Sequence, residues 1–451
     1  MDWDLLLSDQ RLGKAERELP STGRSSFHRD YDRVVFSSAF RRLQDKTQVF
    51  PLAKSDYVRT RLTHSLEASC VGRSLGMEVG IRLDSAKRLP RHIDVAGIGM
   101  IVSTACLAHD IGNPPFGHAG EQAIQEWFKG DGKPFVEMLD LKPQQLDFLR
   151  FEGNAQGFRI LTRLQHPEDA GGLQLTYATL AGFTKYPTSS EKAHDKGATL
   201  AVSEKKHGFF HADSELFRQV AEGTGLLPKE QGHGWCRHPL AFLVEAADDI
   251  CYSIIDLEDG FHRRHIGLRE AIDLLECVID DSSVLRRLDS IRAPEEQLSF
   301  LRAKAIYSLV LEVADEFMKR EEDILSGMYN EELLKSIPRK KADAVSEVKR
   351  IDKGKVYDAR EVIEIEVPGF NVLSGLLDAF VLACEDVSRK GREASPKSRM
   401  LIKLIPDQFL DADRIPHGDP YQRLLSVTDF ICGMTDRYSV NLYKQISGMS
   451  L

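Results

Sequence analysis

The chain has no run of eighteen or more uncharged apolar residues, so no transmembrane helix is expected. Its opening residues, MDWDLLLSDQRLGKAERELP, are acidic and lack the basic stretch and apolar core of a secretory signal. A disulfide framework is missing too: the seven cysteines are scattered, odd in number and form no CxxC pair. These absences predict a reducing, cytoplasmic setting without a membrane. A net charge of −9 excludes wholesale nucleic-acid binding, although local basic patches can still hold phosphates. There is no internal repeat, and strand-like alternation is confined to VIEIEV (Val362 to Val367), which predicts a small strand or hairpin.

What the sequence does have is helical periodicity over 451 residues, enough for a large core and two or three domains. The first fifteen or so residues read as loosely structured. Phe27 to Pro51 has helical apolar spacing (Val35, Phe36, Phe40, Leu43) and four arginines, Arg29, Arg33, Arg41 and Arg42, that suit either a solvated face or an anion site. Arg59 to Leu83 predicts a long amphipathic helix with His64 in its first turn. Tyr186 to Arg237 turns polar and Gly-rich and predicts a loop-bearing insertion. Its histidines His207, His211, His233 and His238 match no zinc spacing and are expected at the surface. The basic stretches KSIPRKKADAVSEVKR and SRKGREASPKSR predict exposed loops or helix ends, and PYQRLLSVTDFICGMTDRYSVNLYKQ returns to helix.

One stretch concentrates chemistry. Ala105 to Glu121, ACLAHDIGNPPFGHAGE, carries an adjacent His109–Asp110 pair at the end of an apolar helix, a Gly-Asn-Pro-Pro break, then His118 and Glu121 three residues apart on a new helix face. A second helix, His238 to Gly260, places Asp248, Tyr252 and Asp256 in line beside its apolar stripe. Asp249 falls with Glu245 and Ser253 on the opposite, polar side. Spacing therefore selects Asp248 as the half-buried carboxylate. Two imidazoles (His64, His109) with two carboxylates (Asp110, Asp248) suit Mg²⁺ or a first-row divalent metal such as Mn²⁺.

The order H…HD…D resembles the HD-domain phosphohydrolase superfamily, and HDIGNPPFGHAGE is similar to the signature of its bacterial dGTP triphosphohydrolases. FRRLQDKTQVF, RTRLTHS, FEGNAQGFR, KYP, EAADDICY and GMTDRY resemble further blocks of that family in the same order, from Phe27 to Tyr438. The resemblance implies an all-α HD core with a helical C-terminal region and at most a small β-hairpin. It implies an N-terminal segment (1–58), an HD domain (59–260) and a C-terminal region (261–451). The activity implied is metal-dependent hydrolysis of deoxynucleoside triphosphates to deoxynucleoside and tripolyphosphate. Another HD nucleotidase or phosphodiesterase, or a non-catalytic nucleotide sensor, is the competing expectation.

Carried over by position, His64, His109, Asp110 and Asp248 are metal ligands, and His118 with Glu121 handles the proton. Gln48 touches the nucleoside, Arg61 and Lys185 hold phosphates, and Tyr186 lines the pocket. Tyr252 and Asp256 hold the sugar, Tyr252 tightly enough to exclude a 2′ hydroxyl. Homo-oligomers, often hexamers, are implied, with Arg437 or Arg423 as an arginine completing a neighbour's site. A nucleotide or single-stranded DNA effector is the further partner the family suggests.

Overall fold

A computed structural model describes residues 1–16, 23–48, 59–191, 202–229, 234–352, 354–355 and 360–449. The described chain is all helix, and its only β pairing is a few isolated bridges. Helices of ten or more residues are numbered α1 (Ser26–Phe36), α2 (Arg61–Ser85), α3 (Val95–Ala108), α4 (Gly117–Lys129), α5 (Ser214–Gly223) and α6 (Pro239–His262). They continue as α7 (Leu268–Ile279), α8 (Pro294–Lys319), α9 (Arg339–Asp352), α10 (Arg360–Lys390), α11 (Pro420–Cys432) and α12 (Asp436–Ile446).

The centre is the α2–α3 pair. Both helices start on side-chain caps: the Thr60 hydroxyl receives Thr63 N–H in a capping box, and Asp94 receives Gly97 N–H. Their contact is lined with glycine. A side chain on Gly76 would stand 2.9 Å from the Gly99 backbone, so only glycine allows the approach. Leu75, Val79 and Leu83 of α2 and Ile98, Ile101 and Val102 of α3 are wholly buried there, each burial contributing about 1.5–3 kcal/mol. This close pairing brings the start of α2 beside the end of α3.

Two apolar cores result. The first gathers α1 to α3, α5 to α9 and the N-terminus; the second gathers α4, α10, α11 and α12. Residues 109–117 run between them, so the suspicious stretch lies at the seam. The helical stretch Val362–Glu393 has the length and hydropathy of a membrane span. Half of its most apolar window is nevertheless buried, because α10 is the spine of the second core.

Several sequence expectations need correction. VIEIEV lies inside α10 and forms no strand. KSIPRKKADAVSEVKR is largely α9, whose Ala344, Val345, Val348 and Ile351 are buried. The first residues are anchored: Trp3, Leu6 and Leu7 are core, and the Trp3 indole donates to Glu321 at 2.9 Å. Phe36 is exposed, and Arg33 donates to the Leu173 and Gln174 carbonyls, which makes it a structural arginine. In the insertion, α5 and the Phe209–Phe217–Trp235 ring cluster form core. His207 is buried against Phe210, and His238 is buried as the N-cap of α6, its ring accepting from Leu240 N–H. His233 and residues 192–201 and 230–232 of the insertion, like 49–51 of the arginine-rich stretch, lie outside the described residues.

Candidate active site

The end of α3 presents His109 as its C-cap, and α2 presents His64 one turn in. Their ring centroids are 5.1 Å apart. Asp248, a little past the first third of α6, sends Oδ1 between them, 3.1 Å from His64 Nε2 and 3.4 Å from His109 Nε2. The three donor atoms lie within 4.8 Å of one another. Ligands about 2.1 Å from a shared ion at right angles stand about 3 Å apart, so this trio fits a divalent cation. His109 Nδ1 is turned to the Cys106 carbonyl at 2.6 Å, which fixes the tautomer and leaves Nε2 facing the other donors.

Asp110 stands at the edge of the trio, its Oδ1 3.5 Å from His109 Nε2. Arg61 holds its Oδ2 at 2.8 Å and Asn113 its Oδ1 at 2.5 Å. Burial opposes the Asp110 charge, but Arg61 and His109 outweigh it and keep the carboxyl well below the usual range. Burial likewise opposes charge on His109, yet Asp110 and Asp248 raise its pKa. Surroundings that favour a proton there also favour a metal cation in its place. Lys185 Nζ sits 2.7 Å from Asp248 Oδ2. Both phosphate-holding candidates therefore border the group, Arg61 through Asp110 and Lys185 through Asp248.

The second pair lies across the turn. His118 is 77% exposed, while its partner Glu121 is buried, and Nδ1 to Oε2 is 3.0 Å. Glu121 Oε1 accepts Gly153 N–H at 2.8 Å. The hydrogen bond and charge of Glu121 raise the His118 pKa. Burial works against the Glu121 charge, but His118 and Lys206 keep its pKa low. Gly117 must be glycine: its φ is +58°, and a Cβ there would stand 2.4 Å from Arg61 Nη2.

Of the remaining candidates, Gln48 is half-buried, and its buried Oε1 has no protein partner among the described residues. The Thr47–Thr60 bridge and the Arg61 N–H to Lys46 carbonyl bond bring it beside the start of α2. Tyr252 is half-buried and Asp256 buried, one and two turns along α6 from Asp248. Tyr186 lies under the Arg237 guanidinium, 5.8 Å from its ring centre. Asp249 points away and pairs with Lys349 of α9 at 3.0 Å, so the α6 face that reads as polar is packed against another helix. Arg423 is buried and held by Glu385 at 2.7 Å. Arg437 is exposed.

Sequence reasoning misses Lys206, which reaches Glu152 at 2.9 Å and Glu121 at 4.0 Å. Burial, with Glu121 adding to it, pushes Glu152 up to about 7. Glu152 stands in the quoted FEGN block, but nothing in the polar run around Lys206 separates it from its lysine neighbour.

An all-helical core with an H…HD…D cluster at the join of three helices defines an HD-domain hydrolase, a metal-dependent class, and the HD domain family model matches residues 61–152. Full-length relatives narrow this. The chain is 46% identical over 461 residues to a "Deoxyguanosinetriphosphate triphosphohydrolase-like protein" of Synechocystis sp., covering all of both chains. It is 40% identical over 454 residues to a like-named protein of Pseudomonas aeruginosa, covering 100% of this chain and 99% of the relative. It is 31% identical over 483 residues, 93% of each chain, to the "Deoxyguanosinetriphosphate triphosphohydrolase" of Klebsiella pneumoniae. The chain belongs to the deoxyguanosinetriphosphate triphosphohydrolase family.

Proposed function

We propose that the chain hydrolyses deoxynucleoside triphosphates, dGTP among them, to deoxynucleoside and tripolyphosphate by breaking the bond between the α-phosphorus and the 5′ oxygen. The observation that carries this reading is the placement of the His118–Glu121 pair across one short turn from His64, His109 and Asp248, with Arg61 and Lys185 flanking. His64, His109 and Asp248, with Asp110 beside them, would hold a divalent metal, which would supply neutralisation of α-phosphate charge and acidify a water. Two imidazole donors favour Mn²⁺ over Mg²⁺.

The rest falls to side chains. Arg61 and Lys185 take up triphosphate charge when the nucleotide competes with Asp110 and Asp248 for them. His118, protonated because Glu121 stabilises its cation, donates from Nε2 to the leaving 5′ oxygen. Glu121 holds Nδ1 and so fixes which nitrogen faces the substrate. Gln48, whose carbonyl lacks a protein donor among the described residues, meets the nucleoside, and Tyr186 lines the pocket wall. Asp256 accepts from the 3′ hydroxyl while Tyr252 closes under the sugar.

Incubation with each dNTP and Mn²⁺ or Mg²⁺ tests this. Tripolyphosphate with deoxynucleoside supports it; pyrophosphate with monophosphate, or no product, overturns it. Tyr252→Ala is expected to admit ribonucleotides, and unchanged discrimination would refute the sugar assignment.

We further infer a cytoplasmic homo-oligomer, a hexamer being the form the family resemblance suggests. All seven cysteines are free, as in a reducing compartment. For an anionic effector, nucleotide or single-stranded DNA, support comes from a cavity of about 810 Å³ between the end of α10 and the segment 391–418 that follows it, with apolar walls (Ile402, Leu410, Pro416). Arg392, Arg399 and Lys403 line it without an ion partner among the described residues. Arg399→Glu with Lys403→Glu should abolish activation by a second nucleotide and leave basal turnover within twofold.

A further inference from the structure

The turn that joins the two halves of the site is clasped from outside it. Phe116, the residue before α4, sits in the left-handed region at φ 63°, ψ 14°, a conformation that a bulky aromatic residue adopts only under restraint. No side chain caps α4 at this position. Instead, Phe116 N–H donates to Oδ1 of Asp436, the first residue of α12, at 3.0 Å. The other Asp436 oxygen accepts both the N–H of Thr47 at 3.0 Å and its hydroxyl at 2.7 Å. The neighbouring residue completes the clasp: Lys46 Nζ donates to the Asn113 carbonyl at 2.6 Å and the Cys432 carbonyl at 2.8 Å. Lys46 is 3% exposed and Asp436 1%. The Gly-Asn-Pro-Pro-Phe-Gly turn is thus gripped at both ends, at Asn113 O and Phe116 N, by residues remote in sequence.

We propose that Asp436 is a positioning residue for His118: by holding Phe116 left-handed it fixes where α4 begins, and so the distance from His118 to the His64–His109–Asp248 group. The proposal rests on the assignment of His118 to proton transfer. In this role Asp436 acts through Phe116 and not through a contact with substrate. His118 is the second residue of α4, so a change in the Phe116 backbone swings His118 and Glu121 together and leaves their mutual contact intact. What changes is their register against the metal group and against Gly153, which lies outside α4.

The test compares wild type, Asp436→Ala, Asp436→Asn, Phe116→Gly and the Phe116→Gly/Asp436→Ala double variant. Glycine reaches the same φ without an anchor. Asp436→Ala is expected to lower kcat tenfold or more while KM and Mn²⁺ affinity stay within twofold. Asp436→Asn, which keeps a side-chain carbonyl acceptor, should fall between the two. In the Phe116→Gly background the loss from Asp436→Ala should shrink to less than threefold. An activity-free readout is the paramagnetic relaxation of the ¹³C-labelled His118 ring by bound Mn²⁺, which should change in Asp436→Ala. Equal kcat losses in both backgrounds, unchanged relaxation, or parallel loss of Mn²⁺ binding and melting temperature would reduce Asp436 to a fold contact and overturn the proposal. Failure of the functional reading is seen separately, as the wrong products from wild type.

Discussion

At the residue scale, the site divides by charge state. His109, Asp110 and the half-buried Asp248 sit among opposite charges, whereas His118 is exposed and leans on one buried carboxylate. Asp110→Ala should therefore cost metal and turnover together, read by Mn²⁺ titration alongside activity. His118→Ala should keep the metal and lose about 10²–10⁴-fold in kcat, the usual contribution of a positioned proton donor. The pH dependence has a definite sign. Glu121 raises the His118 pKa, so the acid form persists above the ordinary value of 6.5, and kcat falls as pH rises through the shifted pKa. Glu121→Gln removes the charge that raises it, so that alkaline limb should move to lower pH in a kcat profile. An unmoved limb would assign it to another group. These residues were legible because a His-Asp pair at a helix end, and a His and Glu three apart, are patterns of sequence. Lys206 and Asp436 were not, because their partners lie 85 and 320 positions away along the chain, a distance that spacing arguments do not cross.

At the element scale, long amphipathic helices were readable and short or mixed ones were not. VIEIEV alternates, but a strand needs neighbours, and no strand exists among the described residues to pair with it. Carried into α10, its Val362 is buried while Ile363 and Val367 remain exposed. The lysine-rich α9 hides a narrow apolar stripe, Ala344, Val345, Val348 and Ile351, that composition masks. The polar insertion misled for the same reason. Its glycines and lysines dominate the reading, while Phe209 and Phe210 are adjacent and Phe217 stands seven residues on, a set that matches no single period, yet all are buried. If this segment is structural, Phe217→Ala should cost about 3–5 kcal/mol in denaturant unfolding, as truncation of a core aromatic does. A cost under about 1 kcal/mol, the range of a surface change, would return the segment to loop status.

At the scale of the whole molecule, the seam between two cores explains why distant blocks of sequence meet at one place: α2, α3 and α6 bring the His and Asp side chains from the first core, and α4 brings His118 from the second. The same arrangement leaves one face of α2 uncovered. Leu66, Met77 and Ile81 are 40%, 41% and 47% exposed, and with the exposed Cys70 they fall within one narrow stripe along the 25-residue helix. Single exposed apolar residues need no explanation, but an ordered stripe on one long helix is the candidate contact surface for the proposed oligomer. Its first member, Leu66, lies two residues from His64 but about 200° round the helix, so the stripe faces away from the buried ligand. Met77→Glu with Ile81→Glu sits far enough along α2 to spare the ligands. The double variant should yield a smaller particle by light scattering and sedimentation. If a neighbouring arginine completes the site, KM for the nucleotide should rise at low protein concentration. An unchanged mass would show that this stripe is not the interface; a smaller particle with unaltered KM would show that each subunit's site is complete by itself.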